Sequence, residues 1–62
     1  MTLKQMRIAQ GLTQQALANV AGLNISQIQK MESGEIKIGN ITLANAAKLA
    51  RALGIKIEDL LE

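Results

Sequence analysis

Cysteine, histidine, proline and all three aromatic residue types are missing from this chain. Each absence removes possibilities. Without Cys no disulfide can staple the fold, and without Cys or His a zinc site lacks its usual ligands. Without Phe, Tyr or Trp there is no platform for stacked bases, which argues against single-strand and most RNA-binding modules. A general base working near neutrality would have to be a strongly shifted carboxylate or lysine, so an enzyme is the least favoured class. No apolar run approaches the roughly 18–20 residues of a membrane span. No apolar h-region follows Met1-Thr2-Leu3-Lys4, so a cytoplasmic protein is expected. Nothing in the chain calls for a metal, a cofactor or a small-molecule substrate.

What is present is aliphatic. Hydrophobic residues make up 48% of the 62 positions. That suffices for one small domain, 1–62, near the lower size limit for folding without staples. The net charge is only +2, but it is unevenly spread. Lys4, Arg7 and Lys30 are the only charged residues before Glu32, whereas Glu58, Asp59 and Glu62 crowd the end. A polyanion is therefore received by the first half and repelled by the tail.

With no proline, glycines and capping residues punctuate the chain. Thr2 to Gln5 has capping-box spacing and opens a first helix with Leu3 and Met6 inward, ended by Gly11. Thr13 caps a second helix from Gln14 to about Ala21, with Leu17, Ala18 and Ala21 on one face and Gly22 at the left-handed stop. Asn24 caps a third, again with box spacing to Gln27; Ile28 and Met31 point inward and the helix ends near Ser33-Gly34. Residues 35–41 read as an apolar linker. Thr42 caps a fourth helix, with Leu43, Ala46, Ala47, Ala50 and Leu53 at helical spacing on one face and Gly54 at its end. A short fifth helix takes Glu58 and Asp59 into its first turn, where the helix dipole favours them, and docks Leu60 and Leu61. The expected fold is all-α, a compact five-helix bundle.

Ala18 and Gly22 stand one turn apart at the end of the second helix. The small side chain lets the third helix cross closely, and the glycine permits the sharp turn. An ordinary helical hairpin would use similar residues. The third helix tips the balance, because its outer face offers Asn24, Ser26, Gln27, Gln29, Lys30 and Ser33. Uncharged hydrogen-bonding groups of this kind suit base edges, whereas a merely solvated face more often carries Glu and Lys pairs.

The run Leu3-x-x-Met6-Arg7-x-x-x-Gly11-Leu12-Thr13-Gln14-x-x-Leu17-Ala18-x-x-x-Gly22-Leu23-x-x-x-x-Ile28-x-x-Met31-Glu32-x-Gly34 resembles the phage-repressor helix-turn-helix family, also called Cro-like or xenobiotic-response-element (XRE) type. Ala50-x-x-Leu53-Gly54-Ile55 and Asp59-Leu60-Leu61 resemble that family's closing helices. The resemblance implies a lambda-repressor-like DNA-binding domain whose third helix enters the major groove of double-stranded DNA. It places Ile25, Ser26, Gln27 and Lys30 as base readers, with Gln27 or Ser26 on purine edges, Lys30 on guanine and Ile25 on a thymine methyl. Gln27 has a competing use in the helix cap, and Ile25 could instead widen the core stripe of Ile28. Phosphate contacts fall to Thr13, Gln14 and Asn24 at helix starts, Gln29 and Ser33 at the margin of the reading face, and Lys37 and Asn40 on the following loop. Arg7 and Glu32 look like the family's interhelical ion pair, which with Ala18 and Gly22 is scaffold. The stretch from Gly34 to Ala50 is longer than the family pattern and lacks its proline.

Ile36, Ile38, Ile41, Ile57 and Leu61 are left over near the linker and last helix, away from the reading face. An apolar surplus there suggests an interface, and a symmetric dimer reading a palindromic operator is expected. The expected function is that of a sequence-specific transcriptional regulator, a repressor that occupies its operator through the third helix. The alternative is an antitoxin or other module that uses the same fold to bind a partner protein such as a toxin.

Overall fold

The computed structural model describes residues 2–60. Helices α1 (Leu3–Ala9), α2 (Gln14–Ala21), α3 (Ile25–Ser33), α4 (Leu43–Leu53) and α5 (Ile57–Leu60) follow in order, with a 3₁₀ turn at Ile38–Asn40 between α3 and α4. Among the described residues there is no strand, and no helix is long and apolar enough to cross a membrane.

The helices begin where capping chemistry places them. Thr2 Oγ1 accepts from the Gln5 N–H at 3.1 Å while Gln5 Oε1 accepts from the Thr2 N–H at 2.9 Å. Thr13 and Thr42 accept from the backbone N–H groups of Ala16 and Asn45. Each hydroxyl satisfies a donor that the first helical turn leaves without a partner. At the end of α2, Gly22 is left-handed with φ 71°. The following Leu23 N–H reaches back to the Ala18 carbonyl at 2.9 Å, a Schellman ending. The pattern recurs where the Ile55 N–H returns to the Ala50 carbonyl after Gly54.

The core is entirely aliphatic and thioether. Leu17, Ile28, Leu49 and Leu53 are its fully buried large side chains, joined by Leu3, Met6, Ala18, Ala21, Met31, Ala46, Ala50 and Leu60. Helix α2 packs against both α3 and α4, and α5 closes on α4. Among the described residues no buried side-chain nitrogen or oxygen lacks a hydrogen-bond partner.

Two expectations need correction. Leu43 is 75% exposed and Ala47 only half-buried, whereas Leu49, absent from the expected stripe, is fully buried. Leu49 recentres the inward face of α4 between Ala46 and Leu53, which leaves Leu43 about 70° off that centre at 100° per residue. The linker at 35–41 holds the 3₁₀ turn. Ile36, Ile38, Ile41 and Ile57 are no exposed surplus: each is partly buried and packed against the chain's own core. Among the described residues the large exposed hydrophobics are instead Ile8, Val20 and Leu43. Leu61 lies outside the described residues.

Candidate nucleic-acid interface

Helix α3 is amphipathic, and its apolar side fixes what its polar side presents. Ile28 and Met31 are buried, so the opposite face turns outward. Ser26, Gln29, Lys30 and Ser33 are all exposed there. Ile25 and Gln27, expected as central readers, are half-buried flanks, and Ile25 touches the core. Gln29 and Ser33, expected at the margin, belong to the same exposed arc as Ser26 and Lys30.

Several of these side chains already have partners. Gln27 Oε1 accepts from the Asn24 N–H at 2.9 Å. A backbone N–H can only donate, so the oxygen of this amide is the capping atom and its nitrogen is left for other contacts. The Ser33 hydroxyl donates to the Lys30 carbonyl at 3.1 Å and accepts from the Glu35 N–H at 3.3 Å, which joins it to the end of α3. No hydrogen bond from the side chain of Ser26, Gln29 or Lys30 to another described residue is present. Lys37 and Asn40 are exposed at the 3₁₀ turn.

Beneath this face lies an ion pair. Arg7 Nε donates to Glu32 Oε2 at 2.6 Å, and Nη2 donates to Glu32 Oε1 at 3.1 Å. The third guanidinium nitrogen, Nη1, donates to the Leu12 carbonyl at 2.7 Å. Both side chains are nearly enclosed, with 11% and 5% of their surface accessible. The fork-to-fork geometry is the one in which guanidinium and carboxylate match best. It ties α1 to the end of α3, as expected, and the Leu12 bond adds the α1–α2 loop. The network has a fourth member that spacing alone did not indicate. Gln14 Nε2 donates to Glu32 Oε1 at 3.2 Å. Burial pushes the Glu32 carboxyl up, but hydrogen bonds from Arg7 and Gln14, with the charges of Arg7 and Lys4, outweigh it and hold the group below its ordinary range. The same bond raises Arg7 further, so both stay charged.

The face therefore combines a polar helix surface with the N-terminus of α2, where Thr13 and Gln14 stand, on a charged scaffold. A model of the helix-turn-helix family matches residues 3–60. No curated protein matches the sequence. Among solved structures the chain is similar to the restriction-modification controller protein C.AhdI from Aeromonas hydrophila. The two share 40% identity over 94% of this chain and 83% of that one, with a TM-score of 0.83. With the family matched along nearly its whole length and the same fold in that relative, the chain belongs to the XRE-type helix-turn-helix family of DNA-binding transcriptional regulators.

Proposed function

We propose that residues 1–62 form one repressor domain that binds a palindromic operator as a homodimer in the cytoplasm. Helix α3 lies in the major groove. Ser26 and Lys30 read base edges, with Gln29 and Ser33 beside them on the same exposed arc and Ile25 and Gln27 at its flanks. Gln14, Thr13 and Asn24 hold the backbone on one side, and Lys37 and Asn40 on the other. The observation that carries this reading is the outer arc of α3, a set of hydrogen-bonding side chains held outward by Ile28 and Met31. Similarity to a restriction-modification controller supports genes of a restriction–modification system as the regulated targets.

Selection of bound duplexes from a random pool tests the reading directly. One enriched, inverted-repeat motif is the expected result. Against that motif, Ser26→Ala and Lys30→Ala should each weaken binding by about 1–3 kcal/mol at one base position, with melting unchanged. Recovery of no motif, or variants that bind it as tightly as the parent, would remove the groove assignment. The antitoxin alternative drew on the apolar linker. Because its isoleucines pack on the chain's own core, no observation now favours it.

A further inference from the structure

We infer that Glu32 is a positioning residue for recognition of the DNA backbone: it orders the Gln14 side-chain amide at the start of α2 for contact with a phosphate oxygen. The inference rests on Gln14 as a phosphate contact, proposed above. Glu32 Oε1 is shared between Arg7 Nη2 and Gln14 Nε2. A carboxylate only accepts, so the Gln14 atom facing it must be nitrogen, and the amide is fixed in one of its two flip states. That nitrogen carries a second hydrogen, which remains to donate. A glutamine so held gives up little rotamer freedom when a ligand arrives, whereas a free one pays that ordering cost on binding. Arg7 makes the arrangement tolerable next to a polyanion. Its guanidinium neutralises Glu32 and commits one N–H of each nitrogen to Glu32 or to the Leu12 carbonyl, so it supports the carboxylate that orders Gln14.

The test compares parent, Gln14→Ala, Glu32→Gln, the double variant and Arg7→Lys for binding to a selected duplex and a scrambled one, well below each melting midpoint. Gln14→Ala should weaken both duplexes about two- to tenfold. Glu32→Gln should do the same, although losing a negative charge would by itself favour DNA. The double variant should be no weaker than either single one. Arg7→Lys keeps a cation on Glu32 and leaves Oε1 to Gln14, so it should lower the melting midpoint yet hold affinity within about twofold. Additive losses at 14 and 32, or equal losses for Glu32→Gln and Arg7→Lys that follow their melting points, would reduce Glu32 to scaffold and overturn the inference. Parental affinity in Gln14→Ala would show instead that Gln14 touches no phosphate, and both readings of that residue would fall. If Glu32→Gln does not fold, the Gln14 side-chain amide resonances of the free parent decide: restricted motion supports the inference, and free rotation overturns it.

Discussion

Glu32 stays ionised inside the fold because its neighbours outweigh the cost of burial, and this gives stability a pH dependence of definite sign. Its carboxyl titrates lower in the folded chain than in the unfolded one. Between the two values the unfolded state binds more protons, so acid favours unfolding. The contribution is complete above the ordinary carboxylate range, near about pH 4.3, and is lost as pH falls through the depressed folded value. Thermal melts of the parent should drop more steeply as pH falls below about 4.3 than those of Glu32→Gln, which has no carboxyl there to titrate. Equal slopes would mean that the pair is too solvated to matter. The sequence paired Arg7 with Glu32 through the family pattern, but Gln14 as the third partner was not legible. A spacing of eighteen residues across the turn between α2 and α3 carries no periodic signal, and only the crossing of α2 and α3 brings the groups together.

At the scale of elements, helix starts and stops were written locally. Thr2, Thr13, Asn24 and Thr42 open the helices where expected, and Gly22 and Gly54 close them, because a cap involves only residues within a turn of one another. Added atoms at Gly22 would meet nothing within 4 Å. The cost of a side chain there is thus its left-handed backbone, and Gly22→Val should lose about 1–3 kcal/mol, a fall of roughly 5–20 °C in the melting midpoint. Ala18 is the opposite case, fully buried, and Ala18→Leu should cost at least about 1–3 kcal/mol by forcing α2 off its neighbours. Unchanged midpoints for both would contradict the observed turn. The stripe on α4 was only partly legible. An apolar residue at the edge of a face, like Leu43, satisfies the same spacing rule as one at its centre, and only packing tells them apart.

The whole molecule spans 24 × 21 × 19 Å, and this bears on how it can hold DNA. Successive major-groove faces lie about 34 Å apart, farther than one copy reaches, so one copy can reach only one such face. With a net charge of only +2, its nonspecific attraction to phosphate is modest. Sedimentation with a palindromic duplex should therefore show two protomers per duplex, and a 1:1 complex at saturating protein would exclude the dimer. Because Ile38 is partly buried within its own chain, Ile38→Lys should lower the melting midpoint as well as any dimer affinity. Leu43→Lys, at a side chain 75% exposed, should leave the stability within about 0.5 kcal/mol of the parent.

By itself the sequence determined the helices, their caps, the turn at Gly22 and the buried positions Leu17, Ala18, Ile28 and Met31, since capping and amphipathic period are short-range properties of the chain. It also carried the pattern by which the family is known. The tertiary structure decided what depends on surfaces meeting: that the linker isoleucines turn to the core, that Leu43 faces outward, that the exposed arc of α3 centres on Ser26, Gln29, Lys30 and Ser33, and that Gln14 joins the Arg7–Glu32 pair. These follow from where one helix crosses another, and a crossing is set by the whole core at once.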